Sequence, residues 1–302
     1  MSKKYIDKFN YDGFKMILQS TQDDLLDYFG ESLPKLYGKD NCLITDEYIF
    51  AKGNIPVVMV SHLDTVHTEI PKDLFYDKEQ HVIWSPQGCG GDDRCGVLGN
   101  LFIAKEMGDK RPSLLFTTNE EIGCVGAKKA TTDEKLKELV KDVKYTVEID
   151  RKGKDDAVFY GCDNEEFQKY VCKFGFKKQI GSNSDVAVLC KEDVWNKACV
   201  NISSGYYNPH QKIEYIRVDE LFTNIGNIIT MLNDIDNVEK FTFHNKKKEV
   251  VNKTTKTETK DNTKAFVGDE ELTGEMDIEH YLAKRYGYDL DNPFYESGQL
   301  PI

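Results

Sequence analysis

Two histidines and several carboxylates stand at the ends of apolar runs in this chain. Side chains of those types, gathered together, would suit a divalent cation. The most informative spacing lies in Val57-Val58-Met59-Val60-Ser61-His62-Leu63-Asp64-Thr65. Four apolar, mostly β-branched residues predict a buried strand, and the strand runs into His62 and then Asp64. In extended chain, residues two apart face the same side. His62 and Asp64 can therefore point together from the strand's carboxyl end, where ligands sit in open α/β sheets. A metal-bound imidazole usually gives its other N–H to a carboxylate, so His62 is a candidate ligand and Asp64 its orienting partner. A strand-end histidine beside a solvated aspartate would give the same residues, and this stretch alone does not separate the two readings.

Further candidates follow in chain order. Gly90-Gly91-Asp92-Asp93-Arg94-Cys95-Gly96 combines tight-turn glycines with adjacent carboxylates ahead of a predicted helix at 96–107. A helix-capping turn would use one of those carboxylates; two together call for a cation between them. The short strand expected at 113–118 ends in Asn119-Glu120-Glu121-Ile122-Gly123. Adjacent residues point opposite ways, so one glutamate can bind metal while the other faces substrate. A strand at 145–150 closes on Asp150, with Glu148 on the same face as a competitor. Gly181-Ser182-Asn183-Ser184-Asp185 suits either close approach to a site or an ordinary turn. Residues 197–210 read as a strand followed by an aromatic-lined loop that ends at His210. His67 and His81 read as solvated or core-edge residues, and His244 and His280 receive no role.

Around these stand the elements that must position them. Residues 11–29 have helical apolar spacing with a break near Ser20, and 42–53 read as two short strands about a Thr-Asp-Glu turn. Residues 66–91 read as a long loop with one strand at 81–84. Helices are expected at 132–142, 164–176 and 217–235, and a strand at 157–161. At 302 residues with 39% apolar content the chain can bury a sizeable core, and its net charge of −12 argues against nucleic acid or an anionic membrane as partner. No apolar run approaches the ~18 residues of a membrane span. The opening residues lack the apolar core of a signal peptide, and the eight scattered cysteines form no CxxC pair. A cytoplasmic location with reduced thiols is the expectation. The Lys/Thr-rich stretch 241–267 is expected to be a disordered linker, and 268–302 an acidic tail with one short helix. That tail would either dock on the domain or a partner, or remain solvated.

In content and order, HLDT, GDDR-x-G, NEEIG, EID and YNPH resemble the motifs of the co-catalytic zinc exopeptidases, nearest to the peptidase T-like aminopeptidases. The likeness covers roughly residues 50–150 and 180–235. It implies a single α/β catalytic domain over 1–240, phosphorylase/hydrolase-like, with three layers: a mixed central sheet and helices on both faces. It also implies two Zn²⁺, with Co²⁺ or Mn²⁺ as substitutes. Carried over residue by residue, Asp92 bridges the metals, His62 and Asp150 hold one, Glu121 and His210 hold the other, Glu120 is the general base and Asp64 supports His62. The implied activity is aminopeptidase hydrolysis of short peptides. Deacylation or desuccinylation of an N-acylated amino acid on the same metals is the alternative, and a non-catalytic metal-stabilised binding module is another. One departure stands out. Many relatives insert a lid or dimerisation domain between the EID and GSNSD motifs, whereas only about 30 residues, 151–180, lie there in this chain. Substrate class and oligomeric state are left open by that loss.

Overall fold

Strand β-branching and helix capping set the layout, which a computed structural model describes for residues 3–244. The chain opens with helices α1 (Lys3–Ile6), α2 (Tyr11–Leu18) and α3 (Gln22–Tyr37). The expected break near Ser20 is the gap between α2 and α3. Thr21 restarts the chain there with a reciprocal cap: its side chain accepts from Asp24 N–H, and Asp24 accepts from Thr21 N–H. Strands β1 (Cys42–Ile44) and β2 (Tyr48–Ala51) form the predicted hairpin, and β3 (Val57–His62) is buried along its whole length.

Next come β4 (Phe75–Asp77), β5 (Val82–Trp84), helix α4 (Gly91–Met107), strand β6 (Ser113–Thr117) and helices α5 (Val125–Thr131) and α6 (Glu134–Val140). They are followed by β7 (Tyr145–Arg151), β8 (Asp156–Val158), α7 (Glu165–Cys172), β9 (Lys177–Gln179) and α8 (Asp185–Leu189). The described chain closes with β10 (Cys199–Ser203), β11 (Tyr206–Tyr207), β12 (Tyr215–Arg217) and α9 (Val218–Asn233).

The main sheet has eight strands in the order β1-β2-β6-β3-β7-β10-β8-β9. Its centre is parallel, with β3 between β6 and β7 and β10 beyond, while β2 runs antiparallel to β1 and β6, and β8 runs antiparallel to β10 but parallel to β9. It is the expected mixed sheet. One face is covered by α4 and α9: Asn100 of α4 donates to Ser61, and Gly96 lies against the Ile149 carbonyl. On that face Phe29 of α3 stacks on Phe116 at 4.8 Å. The other face carries α5 and α8, where Asp185 accepts from Thr117 of β6. The result is a three-layer α/β domain. Phe116 is fully buried, so Phe116→Ala should cost about 3–5 kcal/mol by losing apolar area and leaving a cavity. A urea titration would read that as a lower midpoint with unchanged slope.

Several elements differ from expectation. Residues 66–91 hold two strands, β4 and β5, which join β12 and β11 in a second, four-stranded sheet. Phe75 and Trp84 stack at 4.7 Å across the β4–β5 pair, both partly exposed, which explains why no buried alternation marks them. Helices α5 and α8 and the fully exposed edge strand β9 were not anticipated. Packing also continues past the expected edge at 240. Phe241 and Phe243 are buried, and Phe241 exchanges backbone hydrogen bonds with Lys144 and Ala198. Residues 245–302, with most of the expected linker, the acidic tail, the helix expected there and His280, lie outside the described residues. Among the described residues no helix is long and apolar enough to cross a membrane.

Candidate metal centre and active site

Parallel pairing brings the chemistry together. β3 and β7 are in register from Val57 opposite Tyr145 to Val60 opposite Glu148, so two residues further on His62 arrives beside Asp150. The two side chains leave the carboxyl ends of neighbouring strands, with His62 Nε2 3.6 Å from Asp150 Oδ1. The same Nε2 lies 3.3 Å from Asp92 Oδ1. On the other side of Asp92, His210 Nε2 lies 3.2 Å from Oδ2 and 3.3 Å from Glu121 Oε2. Asp92 thus presents one oxygen to each imidazole. Asp64 stands behind His62, its Oδ1 3.2 Å from Nδ1. His62, Asp64, Asp92, Glu121, Asp150 and His210 are therefore one cluster, although they span some 150 positions of sequence. Glu120 borders it, close enough to His62, Glu121 and Asp92 to respond to their charges.

The supports are as specific as the cluster. Asp64 accepts from the backbone N–H of Glu120 at 2.9 Å and of Glu121 at 3.0 Å, so one carboxylate fixes both the His62 ring and the glutamate loop. Asp93 is fully buried and accepts from the N–H of His62 and of Gly96. A Cβ at residue 96 would stand 2.3 Å from the Ile149 carbonyl, which explains the glycine there. Distance alone allows Asp93 as well as Asp92 beside His62 and Asp150. Because both Asp93 oxygens already hold backbone donors, Asp92 is the better ligand. Glu148, the competitor of Asp150, sits fully buried and accepts from Ser184. Asp150 is held by Asn201, which accepts from its N–H at 2.9 Å, and by the Tyr206 hydroxyl, which donates to its carbonyl at 3.0 Å.

Glu214 is the support that sequence reasoning missed. It is buried, and accepts from Gly90 N–H at 2.7 Å and Asp92 N–H at 3.1 Å, with the His67 ring at 2.9 Å. It ties the loop bearing His210 to the turn bearing Asp92. No periodicity or motif marks it, and a lone acid in a loop carries no signal. Asn201 and Tyr206 were hidden in the same way, since both sit in strands. Glu214→Ala would leave two buried N–H donors unmatched, at about 1–3 kcal/mol each. The expected result is a melting temperature lower by several degrees together with weaker metal binding, measured by scanning calorimetry and metal titration.

The charges explain what the cluster lacks. Burial opposes charge on His62, but hydrogen bonding to Asp150, Asp64 and Asp92 outweighs it and holds its pKa well above the ordinary value. His210 is pushed up to about 10 by hydrogen bonding to Asp92 and Glu121. Asp92 is buried, yet its contacts with His210 and His62 keep its pKa below the carboxylate range. Burial and the Asp92 charge push Asp150 well up. Burial also raises Glu120. Acids outnumber bases here, and the pattern is that of imidazoles drawn into use as counter-ions. Buried Glu121 Oε1 has no hydrogen-bond partner. Two imidazoles whose Nε2 atoms meet only carboxylates, a carboxylate facing both and an orphaned buried oxygen fit divalent cations as the missing positive charge.

No protein-family model and no curated protein matches the chain. Solved structures do. Aminopeptidase PepT from Bacillus cereus superposes with a TM-score of 0.54 at 13% identity, covering 78% of this chain and 99% of that one. A tripeptidase from Staphylococcus aureus gives 0.53 at 13% identity over 74% and 97%. An aminopeptidase from the archaeon Desulfurococcus kamchatkensis gives 0.53 at 14% identity over 79% and 96%. The chain shares the fold of these aminopeptidase and tripeptidase structures. In this version of that fold, the segment between β7 and α8 holds only β8, α7 and β9, with no separate domain.

Proposed function

We propose that the chain is a two-metal hydrolase acting as an aminopeptidase on short peptides. The observation that carries this reading is Asp92, whose two oxygens face the Nε2 atoms of His62 and His210 from opposite sides at 3.3 and 3.2 Å. His62, Asp150 and Asp92 would hold one divalent cation, and His210, Glu121 and Asp92 the other. Such a pair, when bound, polarises a carbonyl and makes water more acidic.

The chain's own residues supply the rest. Glu120 accepts the proton of the attacking water and returns it to the departing amine. Its raised pKa suits a group that must hold a proton between those two steps. Asp64 keeps Glu120 in place through the backbone and keeps His62 in the tautomer whose Nε2 lone pair faces Asp92 and Asp150. Asn201 and Tyr206 also donate to the Asp150 carboxylate, at 3.3 and 3.4 Å, which helps to orient it. His210 is half exposed, which leaves an approach for substrate on that side.

Treatment with a chelator should abolish hydrolysis, and adding back Zn²⁺, Co²⁺ or Mn²⁺ should restore it. The substrate panel pairs amino acid p-nitroanilides and tripeptides with N-acetylated and N-succinylated amino acids. Faster turnover of the free-amino compounds is the expected result. Preference for the N-acylated ones would turn the reading to a deacylase, and chelator-insensitive or absent hydrolysis on both would overturn it.

A further inference from the structure

The geometry that gathers the primary set gathers one more. Glu120, Cys124 and Asp185 each place a ligand atom within 4.8 Å of the others. Glu120 and Cys124 come from the turn between β6 and α5, and Asp185 from the first position of α8, so two distant segments converge. The thiol Sγ lies 3.5 Å from Glu120 Oε1. Asn183 Nδ2 approaches the same sulfur at 3.2 Å, a donor that would support a thiolate once the proton has left. Asp185 is fully buried; one oxygen accepts from Thr117 and the other, Oδ1, has no partner. A buried carboxylate oxygen left bare among two other ligand-type groups is costly unless something binds it.

We infer that Glu120, Cys124 and Asp185 form a third, inhibitory cation site that takes a thiophilic divalent ion. The donor set selects the ion. A thiolate with two carboxylates suits zinc or cadmium and discriminates against magnesium and calcium, which prefer all-oxygen shells. Binding replaces the thiol proton, which leaves to solvent, so one proton is released for each ion bound through Cys124. An ion there occupies the Glu120 carboxylate. The effect on rate rests on Glu120 being the proton acceptor, as proposed above; the binding does not. Activity should therefore rise as two equivalents of zinc fill the primary set and fall as the third fills.

The test is a zinc titration of the metal-depleted full chain by calorimetry with proton release, run beside peptide hydrolysis, and repeated with Cd²⁺ to read the ultraviolet thiolate-to-cadmium band. Wild type should take a weaker third equivalent, release the thiol proton, lose activity at excess zinc and show the cadmium band. Cys124→Ser and Asp185→Asn should keep the first two equivalents and weaken the third by more than the ~10–100-fold typical of an outer-shell change. The site is overturned if wild type saturates at two equivalents without inhibition. It is equally overturned if both folded variants keep the third equivalent, or if Cys124→Ser keeps an undiminished cadmium band. Should no hydrolysis occur at any zinc level, the function fails while stoichiometry and the cadmium band still decide the site. If one variant does not fold, the other decides.

Discussion

Glu120→Gln should retain both metal equivalents and lose about 10²–10⁴ in kcat, the contribution typical of a positioned proton acceptor. The amide keeps the side chain's shape and leaves the Asp64 clamp intact, because that clamp uses the backbone N–H of residue 120. Metal analysis should match wild type, and KM should change less than kcat, since the lost interaction belongs to the reacting state. A variant with near-normal turnover would remove Glu120 from the chemistry. Reduced zinc content would instead mean that the carboxylate belongs to the ligand set.

Asp92→Ala should have the broader effect. It removes the one carboxylate that faces both imidazoles, so both cations lose a ligand at once and their repulsion loses its buffer. Elemental analysis after dialysis should find less than one equivalent per chain, and hydrolysis should fall to background. His62→Ala and His210→Ala provide the contrast, each expected to weaken one cation more than the other. If Asp92→Ala kept two equivalents, Asp93 would be the bridging residue, and the assignment between these neighbours would reverse.

These expectations draw on features of differing visibility in the chain. His62, Glu121, Asp150 and His210 were legible because each follows an apolar strand or closes a loop, where a charged or imidazole side chain has no packing reason to be. Spacing alone did not choose between Asp92 and Asp93, since adjacent residues differ only in direction. The resemblance put the role on Asp92, and the backbone donors that occupy Asp93 favour the same choice. Asp64 was read as a partner of His62, but its grip on the glutamate loop depends on β3 lying beside β6, a register that sequence does not display. Glu214 stayed hidden for a similar reason: its partners lie over 120 positions away. Among the elements, α8 has five residues and β9 three, too short for any period to emerge, and β9 is exposed throughout. The long buried runs of β3, β6 and β7 had no such difficulty.

The two halves of the cluster rest on unequal foundations. His62 and Asp150 are anchored in the middle of an eight-stranded sheet, whereas His210 rides the half-exposed loop between the short strands β11 and β12, which buried Glu214 ties to the turn bearing Asp92. Ions held by the two halves should therefore leave on different clocks. Under a slow chelator the protein should pass through a half-loaded species, emptied first on the side of residue 210, and stopped-flow mixing with a coloured chelator should resolve two phases of equal amplitude.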